Sequence, residues 1–347
     1  MRTERLEHAG PLPLVFTPEK DSDKCVAALR DFARAERVAL DQRLSLHGAV
    51  LFRGFPVHSA EEFEEVAQAI DPELKNDYLG TSPRDALTKY VFSASELPPY
   101  YPIPQHCEMS FLPKPPRRLM FCCLVAPQAP GGETPLCDFR AVWRDLDPAV
   151  RARFEARGVR NVRNYAGPEG GRKLDPWKLK RWNEMFQTTD RARAEEICRE
   201  HGLVPSWGAQ GRLQLVNVQK ASRAHPVTGE TVWFNHAQVF HTSSAAGEYK
   251  RIARRQGPKF ALLSGVARAM QLAQAPFVPP GERAMDCTWG DGAPIPDSDM
   301  EAVRDAIWKN LIAFRWQRGD VVAIDNFAVS HGRMPYQGKR QVVVAWA

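Results

Sequence analysis

Runs and alternations of apolar residues divide the chain into short elements. HGAVLFRGFP (47–56) is an apolar run closed by Gly-Phe-Pro and predicts a strand. SAEEFEEVAQAI (59–70) reads as a helix, with Ser59 and Glu62 in capping-box spacing. RLMFCCLVA (118–126) is continuously apolar and predicts a buried strand. APGGETPLCDF then turns at Gly-Gly into a further short strand. Residues 140–157 predict a helix, VRNVRNY (159–165) a strand, and 190–201 another helix. Strands are expected at RLQLVNVQ (212–219) and TVWFN (231–235). SDMEAVRDAIWKNLIAF (298–314) predicts a helix, with Ser298 and Glu301 in a second capping box. QRGDVVAIDN (317–326) predicts a turn and a buried strand, and RQVVVAWA the last strand.

Between these elements, 72–105 is loop-rich, and 166–211 is more polar and is expected to be a helical and loop insertion. No internal repeat or low-complexity tract occurs, and strands do not alternate regularly with helices. The pattern predicts a mainly β fold with helical insertions (α+β), a sandwich or barrel core, in one domain over residues 1–347.

Composition narrows the class. Of 347 residues, 44% are hydrophobic and 25% charged, the balance of an ordinary globular protein. No apolar run approaches the ~20 residues of a membrane helix. MRTERLEHAGPLPLVF lacks the apolar core of a secretory signal, so a cytoplasmic enzyme with no membrane partner is expected. The seven cysteines are odd in number and form no C-x-x-C pair, which predicts reduced thiols rather than a disulfide framework or zinc-cysteine site.

Net charge is +6 and the pI about 9.0. Basic residues are scattered, densest at Arg151–Arg163 and Lys173–Arg181. No recognition-helix or RNA-binding pattern accompanies them, so no nucleic-acid partner is expected. A mildly basic surface suits an anionic substrate or an acidic partner; a solvated surface is the simpler reading.

Candidate chemistry centres on QHCEMSF (105–111). On a strand, residues i and i+2 face the same side, so His106 and Glu108 would converge while Cys107 faces away. One imidazole and one carboxylate make a poor metal site, and a third ligand has to come from elsewhere. His331, in DNFAVSHGRMPYQGKR just past a buried strand, is the candidate. Two histidines and a carboxylate on one face leave other positions open, the arrangement of non-heme Fe(II) oxygenases. A closed structural site would want a fourth protein ligand. H-x-E alone is a weak signal.

Other residues have competing readings. His236 and His241, in WFNHAQVFH, are five apart, which suits neither a helix face nor a strand face. Asn235 and His236 are candidates for the substrate pocket or for supporting the ligands; His241 reads as structural. Arg333 could meet a substrate carboxylate or brace its loop by an ion pair. Trp289-Gly290-Asp291-Gly292 and His225–Gly229 read as turns, and Asp325 and Asn326 as caps of the loop that presents His331. His8, His47, His58 and His201 carry no signal.

Seven segments, in order, carry a resemblance: GAVLFRGFPV, HCEMSF, PGGETPLCDFR, HPVTGETVWFNHAQVFH, TWGDGAPIP, WQRGDVVAIDN and HGRMPYQGKR. Across residues 48–340 the chain resembles the TauD/TfdA family of Fe(II)/2-oxoglutarate-dependent dioxygenases, and within it the SyrP-type, clavaminate synthase-like branch. The resemblance implies a double-stranded β-helix (jelly-roll) core. It implies that His106, Glu108 and His331 hold Fe(II), that Thr134 contacts a carboxylate of 2-oxoglutarate, and that Arg340 pairs with its distal carboxylate. A fixed two-pronged cation suits that end of a dicarboxylate.

The departures matter too. Gln341 follows Arg340 where relatives often have a second arginine, and no later arginine is available to grip a sulfonate, so taurine is not the expected substrate. Cys107 stands where asparagine is usual. Glu108 itself favours hydroxylation or desaturation, because related halogenases have a small residue there. The resemblance implies O2 as co-substrate and succinate and CO2 as products. The expected substrate is a small molecule, an amino acid or peptide-like intermediate of antibiotic biosynthesis, free or carrier-tethered. Alternatives are a desaturase or cyclase on the same scaffold, a zinc hydrolase with the same ligands, or a non-catalytic jelly-roll binding protein.

Overall fold

A computed structural model describes residues 1–6, 12–81, 84–168, 181–279 and 281–347. His8 and most of the basic run from Lys173 lie outside the described residues, as does 169–180 of the expected insertion. Around that gap are helices Trp182–Phe186 and Arg191–Glu200 and strand Val204–Trp207.

Apolar continuity in the central strands has a direct structural counterpart. The large sheet has seven strands, in the order Arg2–Arg5, Leu14–Thr17, Ala49–Phe52, Val321–Asp325, Arg118–Val125, Gln341–Trp346 and Phe92–Ser93. Its central strands are buried on both faces, which is why RLMFCCLVA shows no alternation. Met120, Cys122, Val321, Ala323, Val343 and Ala345 face an outer layer of helices, Val26–Ala35, Arg37–His47 and Ala60–Ile70. Leu119, Phe121, Val322, Ile324, Val342 and Val344 face inward.

On that inner side lies a second sheet: Leu311–Ile312, Leu136–Asp138, Val329–Arg333 and Ile103–His106, all antiparallel. Leu136 and Val329 share one apolar cluster with the inward face of the large sheet. Beyond it, a third sheet (Met285–Trp289, Val159–Tyr165, Leu213–Gln219, Val204–Trp207) packs with several helices around Cys107, Met109 and Phe111. The molecule is thus a mixed α/β assembly of several sheets, with eleven α-helices among the described residues. Helix content exceeds the mainly β expectation: Ser244–Gln256 and Lys259–Gln274 form a long pair that the apolar pattern did not mark.

Two helix expectations change. The stretch 140–157 forms two helices, Phe139–Asp145 and Pro148–Arg157. Pro148 cannot donate to a preceding turn, and Asp147 caps the new helix through the N–H groups of Ala149 and Val150. The Ser59–Glu62 box forms as expected. The Ser298–Glu301 box does not: the helix starts at Asp297, so Ser298 is already inside it, and Glu301 pairs with Lys250, Arg251 and Arg304. The expected turns at Trp289–Gly292 and His225–Gly229 are present. All seven cysteines are free. Among the described residues no helix is long and apolar enough to cross a membrane.

Candidate active site

The inner sheet sets two imidazoles side by side. His106 ends strand Ile103–His106 and pairs directly across from His331 in strand Val329–Arg333, with ring centroids 4.4 Å apart. The register shifts between His331 and Arg333, so Pro104 and Gln105 together oppose Gly332, a bulge that suits a proline lacking an N–H. Gly332 is required there: a Cβ would lie 2.6 Å from the Ile103 carbonyl oxygen.

Glu108 does not share the strand, contrary to the expectation from i, i+2 spacing. The strand ends at His106, and Glu108 opens a turn whose next residue, Met109, has φ +52. The turn, rather than the pleat, aims the carboxylate. Asn326 fixes it: its Oδ1 accepts the Glu108 N–H at 2.7 Å, and its Nδ2 donates to the carbonyls of Glu108 (3.0 Å) and Pro116 (2.8 Å). Cys107 is fully buried in the apolar cluster, facing away as expected.

The three side chains converge. Glu108 Oε2 lies 4.0 Å from His106 Nε2 and 3.8 Å from His331 Nε2. One ligand atom from each lies within 4.8 Å of the other two. His106 Nδ1 donates to the Pro104 carbonyl at 2.9 Å, which leaves Nε2 as a lone-pair donor. Burial pushes both imidazoles below their usual range, so they are held neutral, the form a metal needs. Two imidazole nitrogens and a carboxylate, with no fourth protein ligand in the group, fit a ferrous ion with open positions.

Arg84 gave no sequence signal. It lies in the loop-rich stretch before the strand, and its Nη2 donates to Glu108 Oε2 at 2.6 Å in a buried ion pair. The Tyr78 hydroxyl donates to Glu108 Oε1 at 3.3 Å. Arg84 stacks over Tyr78 and Trp346 and holds the Ala94 carbonyl.

One cavity is lined by His106, His331, Phe121, Thr134 and Arg340. Arg340 Nη2 donates to Thr134 Oγ1 at 3.1 Å, and Trp316 Nε1 donates to the same oxygen at 3.2 Å. With that oxygen accepting twice, the threonine hydroxyl proton is free to meet an anion. Arg340 Nε binds the Gly132 carbonyl, and burial, then Arg333, push the guanidinium down to about 10, still charged at neutral pH. A hydroxyl donor and a guanidinium fork beside the imidazoles fit a carboxylate.

The candidate substrate residues fare differently. Arg333 lines the cavity, but its terminal nitrogens donate to the carbonyls of Leu97, Pro98 and Tyr101; it braces that loop through carbonyls, not through an ion pair. Asn235 is fully buried, with Nδ2 on the Ala221 carbonyl and Oδ1 on the Ala237 N–H, and does not line the cavity. His236 stands behind His106, 5.5 Å between rings, and hydrogen-bonds Ser110 Oγ at 2.6 Å. His241 bonds Ser243 and the Ile295 carbonyl, a structural role.

Two relatives cover most of the chain. The dapdiamide synthesis protein DdaC of Enterobacter agglomerans is 30% identical, over 88% of this chain and 84% of its own. A clavaminate synthase-like protein of Arabidopsis thaliana is 29% identical, over 96% and 93%. The structure of PvcB from Pseudomonas aeruginosa covers 96% of this chain and 84% of its own at a TM-score of 0.51 and 14% identity, a likeness of fold. The family model described as taurine catabolism dioxygenase TauD, TfdA family matches residues 10–346. With nearly the whole chain matched, the protein belongs to the TauD/TfdA family and is an Fe(II)/2-oxoglutarate-dependent dioxygenase that uses O2.

Proposed function

We propose that the enzyme hydroxylates an unactivated carbon of an amino acid or peptide-like intermediate in natural-product biosynthesis, in the cytoplasm, releasing succinate and CO2. The supporting observation is the convergence of His106, Glu108 and His331, with both histidines lining the same cavity as Thr134 and Arg340. In this reading, one jelly-roll domain spans the chain, with 166–211 an insertion. His106, Glu108 and His331 hold Fe(II); Thr134 and Arg340 take the far carboxylate of 2-oxoglutarate. The relative named for dapdiamide synthesis supports a natural-product setting. The substrate enters either free or tethered to a carrier protein.

When bound, iron holds 2-oxoglutarate and O2 together and supplies the oxidising chemistry. The protein does the rest. The Pro104 carbonyl fixes the His106 tautomer. Asn326 and Arg84 orient Glu108 from its backbone and its carboxylate. Phe121 walls the cavity against water, 5.0 Å from the His331 ring. Arg340 and Thr134 set the co-substrate's direction, which decides where the reactive position faces.

The test is anaerobic visible absorbance of metal-free protein on adding Fe(II), then 2-oxoglutarate. A weak charge-transfer band that needs both, and 2-oxoglutarate-dependent succinate release abolished in His331→Ala, are expected. Coupled turnover persisting in His331→Ala would sink the ligand assignment.

A further inference from the structure

Six arginines among the described residues are buried, and five have evident partners. Arg84 pairs with Glu108, Arg118 with Asp41 and Asp325, Arg251 with Glu301 and Asp305, and Arg304 with Glu301. Arg333 meets three carbonyls. Arg163 differs. Among the described residues its one hydrogen bond runs from Nη1 to the Tyr165 hydroxyl at 3.3 Å, while Nε and Nη2 have no partner there. No carboxylate among the described residues pairs with it. A guanidinium keeps its charge in any protein environment, and burying it uncompensated is costly. Arg340 also lacks a carboxylate partner among the described residues, and there the proposed function supplies one from 2-oxoglutarate.

Position adds to the case. Arg163 lies on strand Val159–Tyr165, two residues after Asn161, so both project from one face of the third sheet. Asn217 is the direct cross-strand partner of Asn161 on that face. Both amide ends of Asn161 and the Oδ1 of Asn217 are likewise buried without partners. The same face packs on the turn that carries Glu108. The Arg163 guanidinium lies 4.0 Å from the Phe111 ring centroid, and Phe111 is 4.9 Å from His236, which backs His106. Gln219, on the face too, donates to the Ser110 carbonyl at 3.1 Å. A strip of unsatisfied donors and acceptors therefore runs through an apolar wall beside the metal-bearing turn.

We propose that Arg163 and Asn161 form the site for the primary substrate's head group, and that this substrate is a free amino acid. Its carboxylate takes the two unpartnered guanidinium N–H groups, and its amino N–H groups meet the amide oxygens of Asn161 and Asn217. A carrier-bound aminoacyl thioester has no free α-carboxylate and does not fit. The inference rests on the oxygenase reading above.

The test screens the common L-amino acids, and the α-carboxamides of any that act, for stimulation of succinate release and for calorimetric binding to the anaerobic Fe(II)–2-oxoglutarate protein. At least one free acid is expected to bind and stimulate, with its amide at least about a hundred-fold lower in kcat/KM. In Arg163→Gln, KM for that acid rises by a similar factor, kcat falls less, and Arg163→Lys recovers part of the binding. Stimulation by no free acid, an amide as good as its acid, or an unchanged KM in Arg163→Gln overturns the inference. The acid–amide comparison uses the native chain, so a variant that fails to fold does not decide it. Absence of the Fe(II)–2-oxoglutarate band would instead remove the oxygenase reading beneath it.

Discussion

Met109 adopts φ +52, a left-handed conformation that long side chains rarely take, directly after the carboxylate ligand candidate. Such a turn persists where its surroundings over-determine it, and Asn326 supplies three hydrogen bonds for that purpose. In sequence, Asp325 and Asn326 look alike, two loop caps. Asp325 is one, accepting the Phe327 N–H at 3.0 Å. Asn326 instead reaches a segment more than two hundred residues away, and nothing local in the sequence announces a long-range bond. Because Asn326 lies behind the ligand, its loss should act on metal affinity. Asn326→Ala is expected to weaken Co(II) binding by roughly 10–100-fold, measured by calorimetry on folded protein. In a Glu108→Ala background the same change should add almost nothing. A loss of equal size in both backgrounds would show a general structural effect and no grip on Glu108.

At the scale of elements, the sequence signals that survive are those whose physics is local. Continuous apolar runs became doubly buried strands, because both faces of the large sheet are covered. Ser59 and Glu62 close a capping box within four residues of chain. The Ser298–Glu301 spacing is identical but fails, because Glu301 has a better offer: Lys250, Arg251 and Arg304 surround it, the last two buried. Tertiary charge overrides local capping there. The two serines make a direct comparison. Ser59→Ala should cost about 0.5–2 kcal/mol in urea unfolding, the usual loss of an N-cap. Ser298→Ala, already inside its helix, should change stability by less than about 0.5 kcal/mol. Equal costs at both positions would mean that the box geometry at Ser59 contributes nothing beyond helix propensity. The same contrast explains the site: His106 and His331 were legible through their type and motif, whereas the turn geometry of Glu108 and the orientations of Arg333 and Asn235 depend on neighbours distant in sequence.

For the molecule as a whole, the candidate metal group ties together segments that the chain keeps far apart, so the fold has to hold a buried carboxylate in place before any ion arrives. Glu108 is 3% exposed and faces two neutral imidazoles. A carboxylate in that setting needs a counter-charge, and Arg84 provides it at 2.6 Å. Arg84 is itself held by Tyr78 and by Trp346 in strand Gln341–Trp346 of the large sheet, so the pair links that sheet to the turn that carries Glu108. The sequence could not show this, because a lone arginine in a loop has no periodicity and no motif. Two consequences follow for stability. Metal-free protein should stay folded, with added metal raising stability only by mass action, about 2.7 kcal/mol at a hundred times Kd. Arg84→Met should lower the stability of the metal-free protein by about 3–5 kcal/mol, because it leaves the carboxylate buried and unpaired. The double variant Arg84→Met/Glu108→Gln should recover much of that loss, since removing both charges removes the penalty. Urea unfolding of the four proteins in chelator decides the matter. If the double variant is no more stable than Arg84→Met, the loss came from the stacking of Arg84 on Tyr78 and Trp346, and the metal-free site does not depend on the ion pair.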